Sequence, residues 1–582
     1  MNKTGAWLVC YALEQLGVKH IFGIPGVHNM EIYDALNNSE HITPHLVTHE
    51  MGAAFMADAV SRTSDQVGTL IITPGAGITH AASGIAEAAQ AGIPLLIICG
   101  SINTESDLHY QFNDADHSPF LKTLTKATFK VTEHSNVVPM LFSAYDIATG
   151  LVDNSKPGPV FVEIPINLQL ASGDVGNELP IYQASQASVE FLDEALTLAA
   201  KLLTEAERPG IFAGWGSVDA QEELIALAEY INAPVCTSLQ GISAFPANHP
   251  LHTGMTFGPA ATPAPEKAFA DCDCLLAVGT RFSEIATGGF SAIPPETLIH
   301  IDIDHQVFNA NFPAQVALCG DASAALSSLL PKIKDLQKEP SDFQETAANI
   351  ASNKVAFFKD WHEHNSKKRV NPALFFDQLR KLLDNDAIVV TDSGNHAFLT
   401  AELMPIHGTR GFISPASFQA MGYCVPAVNG AKLVNPKKQV VGIVGDGTML
   451  VTGMETVTAS HLNLGTIYCL FNDGELSQIA QSQQTSYNRK TCSALKKVNW
   501  GAFAESVDCG YIPIDNNNEI ETGLRRALET ASHNQPVIVD VHIDYSRATH
   551  FSQGILKSNL SHVSRRDKLR LVGRALKRKL TG

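Results

Sequence analysis

Short apolar runs, each bounded by glycine, proline or polar residues, recur along the chain and alternate with segments long enough to form a helix. The clearest are "HIFGIP" (20–25), "GTLIIT" (68–73), "PLLIICG" (94–100) and "PGPVFVEIP" (157–165), then "PGIFAG", "CLLAVG" and "LIHIDID", then "AIVVTDSG", "VVGIVG" (440–445), "TIYCLF" and "PVIVDVHI". Strands of this kind separated by helices predict an α/β protein of doubly wound parallel sheets, buried on both faces. Two polar stretches break the alternation, "LASGDVGNELPIYQASQAS" (170–188) and "IKDLQKEPSDFQETAANIASNK" (333–354). They place boundaries near 180 and 350, and so predict domains over 1–175, 190–335 and 365–550 with a tail over 551–582.

The outer two domains echo each other. In "LIITPGAGITHAASGIAEAAQAGIPLLIICG" and in "VVGIVGDGTMLVTGMETVTASHLNLGTIYCLF" a strand ends in glycines, a helix follows, and the next strand begins after a nearly equal interval. Ligands of such sheets bind beyond the carboxyl ends of the strands, where both glycine turns fall. The central domain reads as a nucleotide-type fold from "GIFAGWGS", "GTRF" and "HIDID", but Gly214-x-Gly216 is not completed to GxGxxG and no GxxxxGK[ST] loop occurs.

A length of 582 residues suits about three domains. Hydrophobic residues at 45% and charged residues at 17% suit a globular enzyme, and the net charge of −18 argues against a nucleic-acid partner. No stretch of about 18 apolar residues occurs, so no membrane-spanning helix is expected. The start, "MNKTGAWLVCYALEQLGVKH", has an apolar run interrupted by Glu14 and no small-residue cleavage site. It reads as a helix rather than a signal peptide, which places the chain in the cytoplasm. Ten scattered cysteines without a CxxC pair read as buried, reduced thiols. From Lys557 onward nine Lys or Arg face one acid, Asp567, and Leu569, Val572, Leu576 and Leu580 recur at helical spacing. That tail predicts a basic amphipathic helix, docked on an acidic face of its own oligomer or, as the less favoured alternative, on a membrane surface.

The chemistry concentrates at Gly445-Asp446-Gly447. A carboxylate at a strand's carboxyl end can hold a cation against a ligand phosphate, and flanking glycines let backbone amides approach that phosphate. A hard divalent cation such as Mg²⁺ needs further oxygen ligands. The next strand supplies them: Asn472 in "FNDGEL" follows Asp446 by 26 residues, one helix and one strand, so the Asn472 side-chain oxygen and the Gly474 carbonyl can complete a half-shell.

GDG followed at this spacing by Asn resembles the thiamin diphosphate motif, and the chain over residues 5–545 resembles the acetolactate synthase and pyruvate oxidase family of thiamin enzymes. "GVKHIFGIPG", "THEMGAAFMADAVSR", "FPANHP" and "AVGTRF" carry the same likeness. The resemblance implies pyrimidine-binding, central and diphosphate-binding domains, thiamin diphosphate with Mg²⁺, and a homodimer or homotetramer whose active sites are shared between chains. Glu50 matches the carboxyl that hydrogen-bonds the pyrimidine and lets the cofactor form its ylid. Met421 in "SFQAMGYCVP" matches the apolar prop of the bent cofactor, beside a backbone contact at Gln419 where many members have glycine. Gly394, Asn395 and His396 match diphosphate contacts, and Gly26, His80, Gly445, Gly447, Thr448, Glu475 and Leu476 complete the implied cofactor site, with Asp446, Asn472 and Gly474 on the metal.

Three departures bear on the substrate. Val27 is apolar where pyruvate decarboxylases carry an acid, His80 stands where relatives commonly have asparagine, and Gln478 stands where acetolactate synthases have an apolar residue and decarboxylases a glutamate. "QQTSYNRKTCSAL" resembles the fermentative acetolactate synthases, which work without FAD, so FAD is left as an option that is not favoured. Gln111 matches a glutamine near the substrate of several carboligases, and with Glu50 and Gln478 it completes the expected catalytic set. The leading expectation is a carboligase that decarboxylates a small 2-oxo acid and transfers the acyl carbanion equivalent to a second carbonyl. A decarboxylase, lyase or oxidase on the same fold is the alternative. A non-catalytic homologue is disfavoured because Glu50, Asp446 and Asn472 are all present.

Overall fold

The computed structural model describes every residue except 153–154, 185–189, 563–565, 568–569, 571–572, 575–577 and 579–582. In chain order the strands are β1 (Asn2–Thr4), β2 (His20–Gly23), β3 (Thr43–Leu46), β4 (Gly68–Ile72), β5 (Leu95–Ser101), β6 (Ala127–Lys130), β7 (Pro159–Pro165), β8 (Ser172–Asp174), β9 (Pro209–Ala213), β10 (Val235–Thr237), β11 (His252–Met255), β12 (Cys274–Val278), β13 (Thr297–Asp302), β14 (Val316–Cys319), β15 (Ile388–Thr391), β16 (Phe412–Ile413), β17 (Val440–Gly445), β18 (Ile467–Phe471), β19 (Gly510–Ile514) and β20 (Val537–Val541). They form three six-stranded sheets, ordered β3-β2-β4-β5-β7-β6, β11-β10-β9-β12-β13-β14 and β16-β15-β17-β18-β20-β19, besides the small antiparallel pair β1-β8. Every pairing within the three large sheets is parallel.

The expected alternation is what the chain builds. Runs such as "TLII", "LLIIC" and "VVGIV" lie buried along their whole length because helices cover both faces of each sheet. The echo between the outer domains is an identity of topology, since the first and third sheets share one strand order when their strands are counted along the chain. The middle sheet instead follows the order 3-2-1-4-5-6 of a nucleotide-type fold.

The first and third sheets are joined through the helices Glu50–Thr63 and Cys424–Val434, which approach so closely that an ideal Cβ on Gly430 would lie 2.3 Å from the Met56 carbonyl oxygen. Beneath this contact Arg62 is fully buried, with Nε 2.7 Å from Asp58 Oδ2 and Nη2 3.7 Å from Glu87 Oε1, while the Tyr423 hydroxyl donates to Asp58 at 2.6 Å. Removing only the cation from such a cluster strands two buried acids, so Arg62→Leu is expected to cost about 3–5 kcal/mol. Urea unfolding checks this, and a loss below about 1 kcal/mol would mean that the acids find other partners.

All ten cysteines are free, with Cys319 and Cys492 exposed. Among the described residues no helix is long and apolar enough to cross a membrane. A helix covers His550–His562. The expected amphipathic stripe of Leu569, Val572, Leu576 and Leu580 lies outside the described residues.

Candidate functional site

β17 ends at Gly445 and Asp446 opens the helix that follows, as the "VVGIVGDG" pattern predicts. The Asp446 carboxylate ties two strand ends together: Oδ1 accepts from its neighbour Gly447 N at 2.8 Å, and Oδ2 accepts from Gly474 N, beyond β18, at 2.7 Å. The two glycines have different reasons. An ideal Cβ on Gly447 would lie 2.4 Å from Leu476 Cδ2, whereas Gly474 sits in open space but at φ +80, which side chains rarely adopt. Burial pushes the Asp446 carboxyl up to about 6, with the two amides opposing it. A cation at this carboxylate would offset that desolvation.

Asn472 continues from β18, its backbone N bonded to Val541 O and its Nδ2 donating to Asp540 Oδ1 at 3.0 Å. The amide nitrogen is thereby engaged within the protein, which orients the side-chain oxygen away from Asp540. The Gly474 carbonyl accepts from Leu495 N at 2.8 Å and keeps a second lone pair. Asp446, Asn472 and Gly474 line one water-accessible cavity.

A neighbouring cavity of about 160 Å³ is lined by Gly394, Asn395, His396, Met421, Gly445, Asp446, Gly447, Thr448, Glu475, Leu476 and Gln478. His396 is buried, which pushes its imidazole down to about 3 and keeps it neutral, and its Nε2 has no partner among the described residues. The ring occupies the space a side chain would need on Gly394 or Gly445, coming within 2.8 Å and 3.0 Å of an ideal Cβ on each. Thr448 Oγ1 donates to Gly445 O, and Glu475 pairs with Lys490. On the apolar side stand Leu476, half-exposed Met421 and exposed Ile479. Gln419 holds φ +63, with its side-chain oxygen accepting from Ser393 Oγ at 3.0 Å. The helix Ser477–Tyr487, which carries Gln478, buries only Ser477 and Ala480.

The remaining expected residues gather at the first sheet. Glu50 opens the helix Glu50–Thr63 and is buried, with Oε2 3.0 Å from His80 Nδ1. Gly26 and Gly77 both crowd Thr73, and Gly77 also faces Glu50 Oε1, so Gly26, Thr73, Gly77, Glu50 and His80 form one continuous patch. Gln111 lies in the segment after β5 and reaches back to donate to Asn103 O at 2.9 Å. Glu50, Gly26, His80 and Gln111 do not line the cavity beside Asp446 in this chain.

Four acids that the sequence reading missed hold these segments in place. Glu455 Oε1 accepts from Thr48 N, Thr48 Oγ1 and His49 N at 2.6–3.1 Å, immediately before Glu50. Asp392 is fully buried and accepts from Ser393, Gly422 and Cys424 N, which shapes the turn after Met421. Glu87 accepts from Ser417 N and Phe418 N just before Gln419. Asp540 orients Asn472 and also accepts from the Tyr511 hydroxyl at 2.9 Å. Their common signal is an acid inside an apolar or small-residue run, as in "VIVDVHI".

A carboxylate bridging two neighbouring parallel strand ends, a buried imidazole without a partner among the described residues and an apolar wall suit a ligand with a phosphate end and an aromatic end. Comparison with known proteins defines the class. Residues 3–120 match the N-terminal TPP binding domain of thiamine pyrophosphate enzymes, 196–329 their central domain and 392–541 their C-terminal TPP binding domain. The chain is 31% identical over 564 residues to a probable acetolactate synthase large subunit of Methanocaldococcus jannaschii, covering 94% of this chain and 92% of that protein. It is 31% identical to the acetolactate synthase large subunit of Corynebacterium glutamicum, over 92% of this chain and 86% of that one. It is 29% identical to the acetolactate synthase isozyme 3 large subunit of Escherichia coli, over 93% and 95%. This chain belongs to the thiamine pyrophosphate enzymes, in the group that includes the acetolactate synthase large subunits.

Proposed function

We propose that the protein is a thiamin diphosphate- and Mg²⁺-dependent carboligase acting on a small 2-oxo acid, with pyruvate the first donor to test. The observation that carries this reading is the Asp446 carboxylate bonded across to Gly474 beside Asn472, in a chain of this family. Asp446, the Asn472 oxygen and the Gly474 carbonyl would hold the cation. His396 Nε2 and the amides at Gly394–His396 would meet the diphosphate. Met421 and Leu476 would wall the thiazolium, with the backbone at Gln419 against the aminopyrimidine. When bound, the cofactor would supply the nucleophilic carbon that decarboxylation of a 2-oxo acid requires.

Glu50 holds and returns the proton of the pyrimidine nitrogen, and its burial keeps water from competing for that bond. Residues 1–175 would serve as the pyrimidine-binding domain of one copy of the chain and 365–550 as the diphosphate-binding domain of another. That arrangement brings Glu50 and Gln111 to the cavity they do not reach within one chain. Purified protein with thiamin diphosphate, Mg²⁺ and pyruvate should consume pyruvate and yield acetoin after acid treatment. Acetaldehyde in place of acetoin would give the decarboxylase reading, and a flavin spectrum the oxidase or FAD-requiring one.

Gln478 tests the substrate rather than the family. It lines the cavity on a helix with little buried beneath it, so its exchange should not disturb the fold. If the Gln478 amide recognises a polar substituent that pyruvate lacks, Gln478→Val removes a hydrogen bond worth about 0.5–1.5 kcal/mol. Turnover of the native substrate should fall up to about tenfold while acetolactate formation from pyruvate holds or rises. Equal turnover of every tested donor and acceptor would show that Gln478 points away from the reacting carbons.

A further inference from the structure

Glu50 has two carboxylate oxygens, and they face different surroundings. Oε2 is 3.0 Å from His80 Nδ1, and Oε1 lies toward Gly77, 3.5 Å from where an ideal Cβ on that glycine would stand. Within one chain the Glu50 side chain is 10% exposed and that of His80 47% exposed, so the imidazole links the buried carboxylate to the water of the cleft that a second copy would border. His80 also stacks on His49, with ring centroids 4.6 Å apart and planes 27° apart. His49 in turn is anchored by accepting from Met51 N at 3.1 Å as the cap of the helix that Glu50 opens. The titratable groups around this contact are His49, Glu50 itself, Glu455, which accepts from His49 N, and the Tyr33 phenol beside Glu50.

We propose that His80 is the positioning residue for Glu50: Nδ1 holds Oε2 so that Oε1 is presented to the cofactor's pyrimidine nitrogen, and the exposed ring exchanges the carboxyl proton with solvent. The proposal rests on the reading that Glu50 meets that nitrogen. When Oε1 has given up its proton, a solvent proton adds at His80 Nε2 and the Nδ1 proton passes to Oε2. The ring ends neutral, with its tautomer exchanged and no change of oxidation state. An asparagine at this position, which the family resemblance puts there, can hold the carboxylate but cannot relay a proton.

Two measurements test this. In ¹⁵N-labelled protein without cofactor, Glu50→Gln should shift the His80 Nδ1 resonance, identified by its absence in His80→Asn. An unmoved resonance overturns the contact. In protein loaded with thiamin diphosphate and Mg²⁺, His80→Ala should slow hydrogen–deuterium exchange at the cofactor's C2 about tenfold or more and remove one limb of its pH profile. His80→Asn should recover the rate without the limb. A His80→Ala profile matching the unsubstituted protein overturns the proposal while leaving Glu50 in its role. If Glu50→Gln exchanges at full rate, the role of Glu50 fails and takes the proposal with it.

Discussion

Asp446→Ala is expected to lose Mg²⁺-dependent binding of thiamin diphosphate, with affinity falling at least about 100-fold in titration calorimetry. The carboxylate has two tasks in the folded chain. It accepts from Gly447 N and Gly474 N, so it sets the distance between the ends of β17 and β18. It is also the charged member of the set with the Asn472 oxygen and the Gly474 carbonyl. Without it a diphosphate would face Asp473, a half-buried acid whose Oδ1 has no partner among the described residues, with no cation between them. Asp446→Asn keeps the shape and removes the charge, so it should fall between the natural chain and the alanine variant. Calorimetric binding by Asp446→Ala equal to that of the natural chain would remove the cation from this position.

Glu50→Gln separates binding from proton transfer. Glutamine has the size of glutamate and retains an oxygen for His80, so cofactor affinity should stay within a few-fold. Exchange of the cofactor's C2 proton should slow by about 10²–10⁴-fold, because an amide cannot hold and return the pyrimidine proton. Exchange followed by NMR after quenching in acid gives the number, and a rate within twofold of the natural chain would contradict the role given to Glu50. The two variants should therefore fail differently, one at binding and the other after it.

Much of this architecture is legible in the sequence, and the limits follow sheet position. Interior strands such as β4, β5, β17 and β18 are buried throughout and mostly apolar because both faces are covered, so they are recognisable as strands. The strands that escape notice include every edge of the three large sheets: β3, β6, β11, β14, β16 and β19. β6 and β14 alternate in burial over four residues, and β16 has only two residues, which leaves too little pattern for a periodic reading. The Asp446, Asn472 and Gly474 part of the candidate site is legible because these residues lie within one helix and one strand of each other. The acids at 87, 392, 455 and 540 are not, because each acts on backbone or side chains that only the folded chain brings near. The His80–Glu50 contact spans 30 residues and two helices, and the sequence marks it only as a departure from the family's asparagine.

The helix Ser477–Tyr487 borders the cavity while contributing only Ser477 and Ala480 to the interior. Exposed positions of this kind usually change stability by less than about 0.5 kcal/mol when substituted. Gln478 and Ile479 can therefore vary almost independently of the parallel sheets below them. A lineage built on this chain could try new specificities one residue at a time, each intermediate still folding, whereas changes at Asp446 or beneath Met421 would be purged before they were ever useful.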